Sequence, residues 1–315
     1  MYEVLNKTFY ESTITDFKNF LNNFSNPPVT KWVICSDYCI NDNNKLYNTI
    51  TFTVIPSVKS FQELKSLISS FALTDLKKTK TVKDQLCQFV KSGYLFSFTF
   101  LFDKKNKLFP DTNQQTYLVN IEQTIQMLKK WIINTPERKE YYSSIIKRVN
   151  ILKQEVKRSS FNLNLFNNIS LTQFLAAYLT FILTKETSIK PEIIGWFSDR
   201  DKMTTSYNGI IYDYYNINYH FMCQQDSIDD SSVKVALAMP TEGEKVLWYD
   251  EVIRVADYLA GALAERNYES KKNNKYDKIW EDAISDNLNL SLIKLNYDQE
   301  ENAYSARRVI ITKKK

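Results

Sequence analysis

The order of apolar periodicities along this chain predicts an α/β fold built on a mixed central sheet with flanking helices and a helical insert. Three observations carry that expectation. Lys31–Asp37, Asn48–Pro56 and Tyr94–Phe102 are β-prone runs close together in the first third of the chain. A long middle stretch then has helical spacing and few strand signals. Strand character returns at Ile193–Ser198 and Val233–Met239, followed by an apolar helix from Trp248 to Arg266.

Residues 3–25 read as an amphipathic helical region closed by Asn26-Pro-Pro28, because proline cannot continue a helix. Asn41-Asp-Asn-Asn44 between the first two strands is a polar turn of the kind that joins antiparallel neighbours. Phe61, Leu64, Leu67, Ile68 and Phe71 place a helix over Ser60–Phe71. Asp103-Lys-Lys-Asn-Lys107 ends the third strand in a charged turn. Tyr117–Asn134, Pro136–Arg158 and Leu171–Lys185 are the three helices of the insert. A helix at Tyr276–Ser285 and β-prone runs at Leu290–Asn296 and Arg308–Thr312 complete the chain. The expected organisation is therefore residues 1–110 and 191–270 as two parts of one core, 111–190 as the insert and 271–315 as a C-terminal extension.

Composition removes several function classes. The five glycines are scattered over 315 residues, so neither a Walker loop nor a dinucleotide-binding fingerprint can be built. Four cysteines (Cys35, Cys39, Cys87, Cys223) show no CxxC pair and no zinc-ligand spacing, and read as free thiols. His220 is the single histidine, in an aromatic setting, so any histidine-dependent chemistry would rest on one side chain. Met1-Tyr-Glu-Val begins without a basic region followed by an apolar core, and Phe174–Leu183 is too short to span a bilayer. A reducing, cytoplasmic compartment and no membrane partner are expected. The net charge of +5 suits a phosphate-bearing partner without specifying one.

The carboxylates are the candidates for chemistry. Asp257 interrupts the small-residue helix Val255-Ala-Asp-Tyr-Leu-Ala-Gly-Ala-Leu-Ala264, where a buried carboxylate needs a basic side chain or a metal ion. Trp32-Val-Ile-Cys-Ser-Asp37 and Ile193-Ile-Gly-Trp-Phe-Ser-Asp199 end apolar strands on aspartate, and Asp201 follows. Mg²⁺ takes oxygen ligands, so Asp37, Asp257 and Asp199 or Asp201 fit a divalent-ion site, with Asp37 placed to bridge two ions. Gly261, with Ala256, Ala260 and Ala264, is expected to let the helix approach the sheet. Each aspartate also has a structural reading. Asp37 suits a strand-ending turn, Asp199-Arg-Asp-Lys202 a self-compensating surface turn, Asp257 a pair with Arg254, and Asp250 an exposed acid at a helix start.

With these residues in view, the chain resembles the DUF3800 group of ribonuclease H-like proteins. Val255-Ala-Asp-Tyr-Leu-Ala-Gly-Ala-Leu263 is similar to that family's closing motif, Val33-Ile-Cys-Ser-Asp37 to its first strand, and Ile193–Asp199 to its later catalytic strand. The resemblance implies a ribonuclease H-like fold, metal-ligating and catalytic roles for Asp37, Asp199 and Asp257, and nuclease activity of the kind inferred for a family found among bacterial mobile-element and defence genes. The family has Asp-Glu-Ser-Gly at the first strand's end, whereas this chain reads Asp37-Tyr-Cys-Ile40, so one expected carboxylate is absent. Glu63-Leu-Lys65 resembles another family segment but falls inside a predicted helix.

The expected function is hydrolysis of DNA or RNA phosphodiesters with two Mg²⁺ or Mn²⁺ ions. The alternative is a degenerate ribonuclease H-like scaffold that binds nucleic acid or a protein partner, docked on the helical insert. A third reading makes Asp257 one half of a salt bridge in an interaction protein. Lys77-Lys-Thr-Lys80-Thr-Val-Lys83, Lys104-Lys-Asn-Lys107, Lys129-Lys130 and Lys147-Arg148 are the basic runs that could follow a phosphate backbone, or simply solvated faces. Tyr207, Tyr212, Tyr214, Tyr215 and Tyr219 suit packing better than base stacking.

Overall fold

The computed structural model describes residues 1–104, 108–110, 112–240, 246–265 and 274–313. Its centre is a seven-stranded mixed sheet. The strands are β1 (Lys31–Cys39), β2 (Tyr47–Pro56), β3 (Phe96–Asp103), β4 (Ile193–Ser198), β5 (Lys234–Ala238), β6 (Leu290–Asp298) and β7 (Ala303–Val309), in the spatial order β5-β4-β1-β2-β3-β6-β7. β1, β2 and β3 form an antiparallel meander. β4 joins β1 in parallel and β5 joins β4 in parallel. On the far side β6 runs parallel to β3, and β7 returns antiparallel to β6.

Side chains alternate across the sheet and so feed two separate cores. Trp32, Ile34, Phe52, Phe98 and Trp196 face one layer of helices. That layer contains α1 (Tyr2–Ser12), α2 (Ile14–Asn22), α5 (Gln114–Asn134), α6 (Lys139–Val156), α7 (Leu163–Glu186), the short α8 (Lys202–Thr205) and α9 (Ile210–Gln225). Val33, Cys35, Ile55 and Phe197 face the other layer. There lie α3 (Phe61–Phe71), α4 (Asp84–Lys91), α10 (Asp250–Glu265), α11 (Asn274–Lys278) and a π-helical turn, Ile279–Ile284.

Several elements differ in extent from the sequence expectation. The N-terminal helical region is two helices, because fully buried Thr13 breaks it and shares a 2.8 Å hydrogen bond with Ser291. α7 starts eight residues before the expected Leu171, at the Asn162 cap, whose side chain accepts from Leu165 N–H. At 24 residues it is the one helix among the described residues long and apolar enough to cross a membrane, against the expectation that this segment is too short. Most of its apolar stretch, 72%, is buried in the protein. α4 was not foreseen, since eight residues hold too little periodicity to read. β7 begins at Ala303 rather than Arg308, because an edge strand of Ala, Ser and Arg has little apolar alternation. Lys105–Lys107 of the expected charged turn lie outside the described residues, as do Lys314 and Lys315.

Neither the insert nor the extension stands apart from the sheet. Buried residues of α5, α6 and α7 belong to the same core as Trp32 and Phe98. The extension supplies β6 and β7, and Arg308 ties it to α2 by a 2.5 Å contact with Asp16. Within the helical layer, Arg148 of α6 grips buried Asp213 of α9 in a bidentate pair at 2.6 and 2.7 Å. Arg148→Met is expected to cost roughly 2–3 kcal/mol by leaving Asp213 without its partner, below the full penalty for a buried pair. The discount follows because the Arg148 side chain is 38% exposed. Urea unfolding measures it, and adding Asp213→Asn should recover most of the loss.

Candidate functional site

The parallel pairing of β1 and β4 sets the site. Ser36 and Ser198 are register partners, and Asp199 N–H extends the ladder by donating to Ser36 C=O at 3.1 Å. β1 runs two residues past its expected end, so Asp37 still lies within it, while Asp199 sits just past β4. The two aspartates are therefore side by side on adjacent strands about 4.8 Å apart, at the same end of the sheet. β1 has an antiparallel neighbour on one side and a parallel neighbour on the other, so this end is where the chain's connections diverge. Both side chains share the face of Cys35 and Phe197, which α10 covers.

α10 lies on that face through small residues. Ala256 and Ala260 are buried, and Thr49 of β2 donates its hydroxyl to Ala260 C=O at 3.0 Å. Asp257 then meets Asp37 and Asp199 across a cavity of about 380 Å³. Gly261 has a different role from the one expected. A Cβ there would lie 2.7 Å from Leu76 Cδ2, so the missing side chain admits the loop after α3 rather than the sheet.

That loop supplies a site residue the sequence did not reveal. Residues 72–80 are fastened to α10 and α11: Leu76 N–H donates to Asp257 at 2.6 Å, and Tyr258 donates to Thr74 C=O at 3.0 Å. Lys275 donates to the carbonyls of Leu76 and Thr79, and Arg254 to that of Ala72. So held, Asp75 and Lys77 both line the cavity. In the sequence Asp75 stands inside a lysine-rich segment with no periodicity, and only the fold brings it to the other carboxylates.

Apart from Lys77, whose charge opposes the rise of Asp257, the cations named here pair with other acids. Arg254 pairs with Asp250, four residues away at 2.6 Å, and leaves Asp257 without the partner one reading gave it. Asp250 is half-buried and lines the cavity instead of standing exposed. Lys45 pairs with Glu265, and Lys78 with Asp75. Among the described residues no ion pair forms on Asp37, Asp199 or Asp257. Asp201 also lines the cavity, but it is the N-cap of α8, its carboxylate accepting from Met203 N–H at 2.8 Å.

Electrostatics follow from this arrangement. Burial first, then the charges of Asp257 and Asp199, push the Asp37 carboxyl well above the usual carboxylate range. Asp199 is raised to about 6 by burial, against the Arg200 backbone N–H and with Asp250 adding to the rise. Asp257 is raised to about 6 by burial, with the Leu76 N–H opposing and Asp75 and Asp199 adding. These carboxylates ring the cavity rather than closing on one centre. Among the described residues no three acidic, cysteine or histidine side chains converge tightly enough to enclose an ion. The donor set is nonetheless all carboxylate oxygen, mutually repelling and short of cationic partners, which is the chemistry that suits Mg²⁺ or Mn²⁺.

Comparison with family models, with characterised proteins and with solved structures returned no match. The site is therefore read from its own geometry.

The other candidates fall outside it. His220 pairs with Asp230 and lines a separate cavity with Arg148 beside β5. Tyr212, Tyr215 and Tyr219 are buried in the helical layer. Cys35, Cys87 and Cys223 are buried, Cys39 is half-buried at the cavity, and all four are free. Of the described residues in the basic runs, Lys77 lines the cavity and Lys104 donates to the carbonyl of Asp42 on its wall; Lys129, Lys130 and Lys147 are exposed on the insert.

Proposed function

We propose that this protein is a metal-dependent phosphodiesterase acting on DNA or RNA, built on a ribonuclease H-like sheet related to the DUF3800 group. One observation carries the reading: Asp37, Asp199 and Asp257 come from three separate elements to one cavity, without ion pairs among the described residues, and are raised by burial first and then by neighbouring carboxylates. Half-buried like charges with little counter-charge are costly, and a bound cation would offset the cost. The antiparallel meander flanked by parallel β4 and β5, with Asp37 two residues before the end of β1 and Asp199 just past the end of β4, supports the fold assignment.

Asp37, raised in part by the charges of Asp257 and Asp199, would be the ligand between them. Asp199 and Asp257 would be the further metal ligands, Asp75 would add a fourth carboxylate at the cavity, and Asp201 would offer what its cap leaves free. A bound pair of Mg²⁺ or Mn²⁺ ions supplies Lewis acidity toward the scissile phosphate and the attacking water. The chain's own contribution is orientation. Leu76 N–H fixes the Asp257 carboxylate, Tyr38 N–H fixes that of Asp37 at 2.6 Å, and Lys77 at the rim presents an ammonium to a phosphate.

A second reading, a degenerate scaffold that binds nucleic acid or a protein without cutting, is favoured by two features: Tyr38 stands where the family has glutamate, and the carboxylates do not converge on one centre. The deciding experiment incubates wild type and Asp257→Asn with single- and double-stranded DNA and RNA in Mg²⁺ or Mn²⁺. Loss of several kcal/mol of transition-state stabilisation corresponds to a drop of about a thousandfold or more in the variant. Absence of cutting by wild type, together with absence of calorimetric Mn²⁺ binding, leaves the scaffold reading.

A further inference from the structure

Tyr38 follows Asp37 on β1 and points to the opposite face of the sheet, where its hydroxyl lies 2.7 Å from Ser36 Oγ and 2.7 Å from Ser198 Oγ. Ser36 and Ser198 are the last Cα partners of the β1–β4 ladder, each one residue before a site aspartate. Both serines are fully buried. Trp196 Nε1–H donates to Ser36 Oγ at 2.9 Å, and Ser198 Oγ–H donates to the carbonyl of Asp199 at 3.2 Å. With those two ends given, one direction satisfies every hydroxyl: Ser36 donates to Tyr38, and Tyr38 donates to Ser198. Burial keeps the phenol protonated, as this direction requires.

We propose that Tyr38 is a positioning residue, a side-chain clamp that sets the separation of Asp37 and Asp199 where the backbone ladder ends. β4 stops at Ser198, and beyond it a single backbone bond, Asp199 N–H to Ser36 C=O, joins the two strands. Tyr249 and Thr204 also hold this end, donating to the carbonyls of Ser198 and Asp199 at 3.0 and 3.3 Å, but neither belongs to β1. Strand ends fray where they are not tied to their neighbour. The Trp196–Ser36–Tyr38–Ser198–Asp199 chain supplies that tie from the face opposite the cavity. It ends on the carbonyl of Asp199, next to the Cα that bears the carboxylate, so it helps set the backbone from which that side chain projects. Tyr38 thus replaces the glutamate of the resembled family with a residue of different use: it supplies no charge to the site and holds two of its carboxylates in register.

The inference rests on the metal-site reading for its functional meaning, but the clamp has its own observable. Wild type, Tyr38→Phe and Tyr38→Phe/Ser198→Ala are compared by Mn²⁺ calorimetry and by hydrogen exchange at the Asp199 amide. Tyr38→Phe should weaken Mn²⁺ binding about 10- to 100-fold, the range for groups that orient metal ligands. It should also speed Asp199 amide exchange about tenfold, as loss of one buried hydrogen bond implies. Tyr38→Phe leaves the Ser36 hydroxyl without its acceptor, while Ser198 keeps its bond to Asp199. The double variant breaks that bond too, so exchange at Asp199 should quicken further and affinity fall again, whereas a purely structural Tyr38 leaves affinity unchanged in both. Wild-type affinity in Tyr38→Phe, or unchanged exchange at Asp199, overturns the proposal. A wild-type protein that binds no Mn²⁺ overturns the metal reading instead, and the Asp199 amide then decides the clamp alone.

Discussion

Asp37→Asn is expected to raise the melting temperature of the metal-free protein while abolishing Mn²⁺ binding and metal-dependent cleavage. Asp37 is pushed up first by burial and then by the charges of Asp257 and Asp199, so at neutral pH its ionised form is held at a cost. Asparagine keeps the shape and the acceptor oxygen for Tyr38 N–H while removing the charge. Relief of roughly 1–2 kcal/mol gives a rise of about 2–4 °C in a chain of this size. Opposite changes in stability and activity at one residue are the mark of a group retained for function. A structural Asp37 gives the reverse: the variant melts lower, and any Mn²⁺ affinity is unaltered.

The second large effect concerns pH. Asp199 and Asp257 lie near 6 in the folded protein, against 3.8 for a free aspartate. Between those values the folded state binds more protons than the unfolded one, so stability falls as pH rises. Their contribution is fully present below about 3.8 and is lost as pH passes through about 6. Metal-free protein should therefore melt higher at pH 5 than at pH 7.5. Both groups are half-buried and interact, so the difference is discounted to about 1–3 kcal/mol, a few degrees. Saturating Mn²⁺ should reverse the slope, because the ion binds the deprotonated carboxylates and gains affinity as protons leave. Differential scanning fluorimetry from pH 5 to 8, with and without Mn²⁺, reads both slopes. Equal melting temperatures across that range in the metal-free protein would show that burial and neighbouring charge do not raise Asp199 and Asp257.

Much of the scaffold was legible because it rests on local pattern. Ile193–Ser198 is a run of apolar residues between turn signals, and the strand has those bounds. Ser60 with Glu63 writes a capping box that starts α3 where expected. The tyrosines of α9 suggested packing and are packed. Harder elements were those with weak periodicity: α4 is short, β7 is polar, and the first turns of α7 come before its apolar stretch.

Three aspartates could be singled out from the sequence because each breaks an apolar segment, and a charge in such a place needs a reason that local structure does not give. Whether they meet was not local information. The pairing of Ser36 with Ser198 joins residues 162 positions apart in the chain and brings Asp37 beside Asp199. The seat of α10 over β1 and β2 adds Asp257. Asp75 and Lys77 belong to a loop whose place is set by hydrogen bonds to Asp257, Tyr258 and Lys275, so nothing near them in sequence announces the cavity. The choice of Arg254 for Asp250 instead of Asp257 likewise needed the helix in its tertiary seat, since i+3 and i+4 partners are equally near along an isolated helix. Periodicity determined which segments are strands and helices and which carboxylates are out of place; strand register and helix seating decided which of those charges face one another.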